Sequence, residues 1–183
     1  MSALLSQRSA SQLVIVDIQE RLSAVMNPDA LASVVKNSSI LLQAANLLEV
    51  PVICTEQYPR GLGPTLPELK QYLHQPAIEK TCFSCADEKN FVNRLNHQCP
   101  QIVLAGMEAH ICVLQTALQL QHLGYQSFVV EDAIISRNPE NKANALSRMR
   151  HAGVIVTNTE SVAMEWQEIA EGDVFKQISR LIR

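Results

Sequence analysis

Six short segments, none with the alternating polar pattern of a half-exposed strand, constrain this chain more than any other feature. They lie at 12–16 (QLVIV), 51–55 (PVICT), 77–79, 102–105, 127–130 (SFVV) and 154–156. A strand covered on both faces has no solvent side to alternate toward, so it reads as a continuous apolar run. Helical stretches fall between these runs. Asn27-Pro28 supplies a cap and a first-turn proline for a helix over 29–48, and Asn138-Pro139 does the same for one reaching 151. Further helices are expected at 68–73, at 87–96, from Cys112 to the stop at Gly124, and from Val162 onward, while 56–67 (EQYPRGLGPTLP) reads as loop. Strands alternating with helices at this spacing predict an α/β fold: a doubly wound, Rossmann-like parallel six-stranded sheet in three layers. No repeat or linker interrupts the 183 residues, which read as a single domain behind an N-terminal extension over 1–11.

In such a sheet, ligands bind beyond the carboxyl ends of the strands, where the strand order reverses. The stretch 101–120, QIVLAGMEAHICVLQTALQL, places a strand, a break at Gly106 and a helix in succession. Cys112 then falls in the first helical turn, where unpaired N–H groups and the helix dipole favour an anion. That address pushes a thiol toward thiolate and offers donors to a developing oxyanion. A buried structural cysteine is the competing reading. Asp17 and Lys80 follow other strands at the same rim. Singly they read as a cap and a solvated charge. Together with Cys112 they make a general base, an electrostatic anchor and a nucleophile.

Other groups fit less well. His110 is an alternative base for Cys112, but close neighbours in a turn tend to point apart, which favours Asp17. Cys82-Phe83-Ser84-Cys85 is a lone CxxC, too little for a zinc ribbon, and reads as packing ahead of redox chemistry. Asp132 reads as a loop anchor, and Arg148, Arg150 and His151 as a solvated helix end. A net charge of −3 and pI near 5.9 leave no basic footprint for nucleic acid. No apolar run approaches the roughly 20 residues of a membrane span. Five cysteines, an odd number, behind an N-terminus without a signal-peptide pattern point to a reducing compartment, the cytoplasm.

LVIVDIQ (13–19), EKTCFS (79–84), AGMEAHICV (105–113), EDAIISR (131–137) and VTNTESV (156–162) span nearly the whole chain. In that order they resemble the isochorismatase-like cysteine hydrolases, the superfamily that includes nicotinamidases and N-carbamoylsarcosine amidohydrolases. The TEQYPRGLG stretch (55–63) and the E-A-H-x-C-V form resemble a subgroup of isochorismatase-domain proteins whose substrates are mostly unassigned. The resemblance implies a sheet in order 3-2-1-4-5-6 and an Asp-Lys-Cys triad at Asp17, Lys80 and Cys112. It also implies a cis peptide at Met107–Glu108 that aims the Glu108 N–H beside that of Cys112 as an oxyanion hole. The implied reaction is hydrolysis of an amide-type C–N bond through a covalent thioester. The enzyme that names the family cleaves a vinyl ether without a cysteine, so Cys112 points to the amidase-like branch.

Metal-binding nicotinamidases carry an aspartate and histidines after the second strand. Here that region offers Glu56, Gln57 and Tyr58, and the next histidine is His74. The expectation is therefore no metal and no cofactor. Gln57, Tyr58, Phe83 and His110 are expected to line the pocket of a small-molecule substrate. The resemblance further implies a homo-oligomer, a dimer or larger. The apolar C-terminal positions Val162, Met164, Trp166 and Ile169 fit packing across subunits or on the chain's own sheet. Two other classes stay open: a non-catalytic binding protein on the same scaffold, and a thiol-redox protein using Cys82 and Cys85.

Overall fold

The computed structural model describes residues 4–183, so the first three residues of the N-terminal extension lie outside the described residues. The strands are β1 (Ser11–Val16), β2 (Val52–Gln57), β3 (Ile78–Lys80), β4 (Gln101–Met107), β5 (Gln126–Ile135) and β6 (Ile155–Thr157). The helices are α1 (Glu20–Ser23), α2 (Pro28–Leu47), α3 (Pro59–Leu62), α4 (Pro67–Lys70), α5 (Lys89–Arg94), α6 (Leu114–His122), α7 (Pro139–His151), α8 (Thr159–Gln167) and α9 (Gly172–Leu181). All strand pairs are parallel, in the order β3-β2-β1-β4-β5-β6. This is the expected six-stranded order, and it reverses between β1 and β4.

Alternate residues of β1 feed two cores. Leu13 and Ile15 face one cluster, with Leu41 and Leu42 of α2 and Trp166 of α8. Val14 and Val16 face the other, with Phe91 of α5, Leu120 of α6 and Met149 of α7. All four β1 side chains are fully buried, which is why the run lacks alternation. The Asn-Pro signals act as expected: Asn27 accepts from the Ala30 N–H at 3.0 Å, and Asn138 from the Glu140 N–H at 2.9 Å.

Several boundaries differ from the sequence reading. β2 runs on to Gln57, so Glu56 and Gln57 belong to the sheet, and the loop beyond them holds α3 and α4. Gly106 does not end its strand. At φ +132° its Cα crosses β1 so closely that a Cβ would lie 2.0 Å from the Val16 carbonyl oxygen, and β4 continues to Met107. The helix expected at 87–96 is split into a 3-10 turn at Cys85–Asp87 and α5, because Glu88 is extended and caps the Asn90 N–H at 3.0 Å. β5 continues past Val130 to Ile135, so Asp132 lies inside a strand. Its carboxylate takes the Thr159 N–H at 2.9 Å and hydroxyl at 2.8 Å, capping the start of α8. The C-terminal apolar residues pack on the chain's own sheet: Val162 and Trp166 are fully buried there, while Ile169 is exposed.

Candidate functional site

Asp17 follows β1, Lys80 ends β3, and Cys112 lies in the turn after β4. The three strands run parallel, so these residues gather at one edge of the sheet, beside the point where strand order reverses. Lys80 Nζ lies 2.7 Å from Asp17 Oδ2, and both side chains are wholly excluded from solvent. The Thr55 hydroxyl donates to Asp17 Oδ1 at 2.7 Å, and the buried Cys112 thiol lies close enough for the charges of Asp17 and Lys80 to act on it. Asp17 adopts a left-handed backbone, φ 53°, a conformation that costs roughly 1 kcal/mol outside glycine. Strain of that kind persists where the surroundings over-determine it, as a buried ion pair does.

The connection from β4 is compact. The Met107–Glu108 peptide is cis, and Glu108 is extended. A wide π-type turn, Ala109–Val113, then carries an i→i−5 bond from the Val113 N–H to the Glu108 carbonyl at 3.3 Å before α6 begins. Helical structure therefore starts at Ala109, three residues earlier than the sequence suggests. The thiol itself also behaves differently from that reading. Burial raises the Cys112 pKa, the Asp17 carboxylate raises it further, and Lys80 only partly opposes them. These influences favour the protonated thiol over the thiolate that a helix start alone would stabilise. Burial alone would lower the Lys80 pKa, but the Asp17 carboxylate, with Cys85 and Cys112, outweighs it and holds the ammonium above its usual value.

The four residues expected to line a pocket separate into different roles. Gln57 turns its amide oxygen to Lys80 Nζ at 2.7 Å. Tyr58, left-handed and 54% exposed, shares an open recess of about 350 Å³ with Lys80, Arg60, Glu79 and Glu88. Phe83 is 55% exposed outside that recess and gives its carbonyl to Lys80 Nζ at 3.0 Å. His110 is bound through Nδ1 to Ser136 Oγ at 2.9 Å, and Glu108 accepts from the Arg137 N–H and Nε at 2.9 and 3.1 Å. The ends of β4 and β5 are thus tied together beside Cys112.

Thr55 escaped the sequence reading, because a threonine in PVICT looks like an ordinary β-branched strand residue. The signal was its i, i+2 relation to Gln57, which puts both on one face of β2. Glu56 is spent on the Thr65 N–H and hydroxyl, each at 2.7 Å. No group of three or more His, Cys, Asp or Glu among the described residues is placed to hold a metal. Cys82 and Cys85 are both free. Cys85 is fully buried, lies 3.7 Å from the Thr55 hydroxyl, and has its pKa pushed up to about 11 by burial.

The isochorismatase domain model matches residues 11–161. Isochorismatase domain-containing protein 2A of Mus musculus is 38% identical, over 95% of this chain and 83% of its own length. A Caenorhabditis elegans structure described as MAR1 ribonuclease is 33% identical with a TM-score of 0.90, covering 97% of this chain and 92% of its own. The YcaC gene product of Escherichia coli, described as an octameric hydrolase of unknown specificity, is 25% identical with a TM-score of 0.90, covering 100% of this chain and 91% of its own. With its sheet order and matched length, the chain belongs to the isochorismatase family, a hydrolase-type family.

Proposed function

We propose that this chain is a cysteine hydrolase that cleaves an amide-type C–N bond of a small molecule through a covalent thioester. The observation that carries the reading is the fully buried Asp17–Lys80 ion pair at the same sheet edge as Cys112, whose thiol feels both charges. Asp17 takes the thiol proton as Sγ attacks the carbonyl carbon. The oxyanion that forms sits at the Glu108 and Cys112 N–H groups. The C–N bond breaks as the Asp17 proton passes to the leaving nitrogen. Water then gives a proton to Asp17 while its oxygen attacks the thioester, and the proton returns to sulfur as the acid leaves. Because burial and Asp17 favour the protonated thiol, proton transfer and attack belong to one step.

A net charge of −3 supports a small-molecule substrate over nucleic acid. Among the described residues no helix is long and apolar enough to cross a membrane. Five unpaired cysteines support a reducing, cytoplasmic setting, and the octameric E. coli relative supports a homo-oligomer.

The test is ammonia release from a panel of small primary amides and carbamoyl compounds, with RNA as control because the C. elegans relative bears the name ribonuclease. Cys112→Ala should abolish amide turnover, a loss of at least about 10³-fold, with the fold intact. Wild type should yield an acyl adduct on Cys112 that hydroxylamine releases as a hydroxamate. Turnover that survives Cys112→Ala overturns the mechanism.

A further inference from the structure

Resting on that reading, we propose that β2 is the positioning element of the site: Gln57 is a positioning residue for Lys80, and Thr55 is one for Asp17. Gln57 pairs with Lys80 across the β2–β3 register, and Thr55 lies two residues earlier on the same face. Lys80 Nζ has four acceptors: Asp17 Oδ2 and Gln57 Oε1 at 2.7 Å each, the Phe83 carbonyl at 3.0 Å and the Cys82 carbonyl at 3.2 Å. An ammonium has three protons. Lys80 is therefore saturated by the protein, and a substrate gains a hydrogen bond from it only by displacing one of these partners. It acts through its charge, and the geometry of its cage decides where that charge lies.

Gln57 is built to hold that cage. Its Nε2 donates to the Thr81 carbonyl at 2.8 Å, which fixes the amide so that its oxygen faces Lys80. Its backbone is held on both sides by the fully buried Gln19, whose Oε1 takes the Gln57 N–H at 2.7 Å and whose Nε2 donates to the Gln57 carbonyl at 3.0 Å. A neutral amide here leaves Asp17 as the one carboxylate on the ammonium, so part of the positive field remains to act on Cys112. Thr55 spends its proton on Asp17 Oδ1, the oxygen that Lys80 does not hold, and has the Cys85 thiol on its other side. The charged and titratable groups acting on Cys112 are Asp17, Lys80 and Cys85; those acting on Lys80 are Asp17, Cys85 and Cys112, with Cys82 feeling its charge and Tyr58, Arg60, Glu79 and Glu88 sharing its recess.

The experiment needs no substrate. The 183-residue chain is alkylated across a pH series with neutral iodoacetamide and anionic iodoacetate, and each cysteine is quantified by mass spectrometry. The iodoacetate-to-iodoacetamide rate ratio at Cys112 reads the local positive field. Cys99, whose pKa is raised by burial with no charged neighbour acting on it, is the control.

Gln57→Glu should lower that ratio about five- to tenfold and move the alkaline rise in Cys112 labelling up by about one pH unit, with Cys99 unchanged. Gln57→Met should lower the ratio less, and it serves if the glutamate variant does not fold. Thr55→Val should slow Cys112 labelling at neutral pH about threefold, and Thr55→Ser should restore it. A merely structural role would change both reagents alike and leave the ratio fixed. Wild-type ratio and profile in the Gln57 and Thr55 variants, with Asp17→Asn still altering Cys112, overturn this assignment alone. Cys112 labelling indifferent to Asp17→Asn overturns the hydrolase reading and this one with it.

Discussion

The same two central strands carry polar groups at both ends, and the two ends are built differently. At the amino end of β1 and β4 stand Gln12 and Gln101, both buried. Gln12 donates to the Asn96 and Cys99 carbonyls at 3.0 and 2.7 Å and accepts the Asn96 N–H at 3.1 Å. Gln101 accepts from the Gln7 N–H at 2.7 Å and the Ser11 hydroxyl at 3.3 Å, and donates to the Leu5 carbonyl and the Gln126 side chain at 3.1 and 3.0 Å. Each amide is neutral and spends its capacity on neighbouring chain, stitching the extension and the β4 approach to the sheet. At the carboxyl end stand a carboxylate, an ammonium and a thiol. There burial and the Asp17 charge favour a proton on Cys112, beside a carboxylate that can act as its base. Burial of polar groups is common to both ends. Charge with a transferable proton belongs to one.

The largest effect that separates the ends is expected at Lys80. Lys80→Met leaves Asp17 as a buried, unpaired carboxylate and should cost about 3–5 kcal/mol of stability in urea titration. Adding Asp17→Leu removes the orphaned charge, so the double variant should regain most of that stability while Cys112 stays unreactive. A single-variant loss below about 1 kcal/mol would mean that the pair is no more demanding than the glutamine stitches. At the other end, Gln12→Leu takes the side-chain partner from the Cys99 carbonyl and the Asn96 N–H, while the Asn96 carbonyl keeps the Cys99 N–H at 2.9 Å, and should cost about 1–3 kcal/mol, with Cys112 labelling unchanged. A change in Cys112 chemistry in that variant would erase the distinction between the ends.

Much of this arrangement is legible in the sequence, for identifiable reasons. The central strands declare themselves because both their faces are covered, and α2 and α7 because Asn-Pro fixes their starts. Asp17, Lys80 and Cys112 stand just beyond or at strand ends, where a parallel sheet places its ligands. What stays hidden is set by register and burial. Gln57 faces Lys80 only because β2 continues two residues beyond the expected strand, into a stretch whose glycines and prolines read as loop. Thr55 gains its role only once that pairing is known. The upward push on the Cys112 thiol is hidden for another reason: a helix start is visible in sequence, whereas desolvation comes from packing. His110, the less favoured base for Cys112 in the sequence, has a partner that only the length of β5 sets: Ser136, the residue after that strand, meets its Nδ1.

The smallest expected effect isolates that desolvation. Cys54 lies within β2, in the core on the opposite face from Thr55, with its sulfur 3.6 Å from the Thr65 hydroxyl. Its thiol is pushed up to about 12 from 9.0, first by burial, with a bond to Thr65 opposing and nearby carboxylates adding. A group whose folded pKa is raised keeps its proton in the native state while the unfolded chain gives it up. The stability it confers is thus full below pH 9 and is lost as pH rises toward 12. Between pH 8 and 10, Cys54 should account for about 1.4 kcal/mol of the loss, so Cys54→Ala should show an alkaline decline shallower by that amount in urea unfolding. Cys112 shares the sign and the first cause, burial, and Asp17 raises both thiols, but of the two only Cys112 has Lys80 in its balance. Its alkaline contribution should therefore change in the Lys80→Met background, while that of Cys54 should not. Equal responses of the two thiols to Lys80→Met would show that burial governs both, and would leave Cys112 no different in kind from a thiol buried in the sheet.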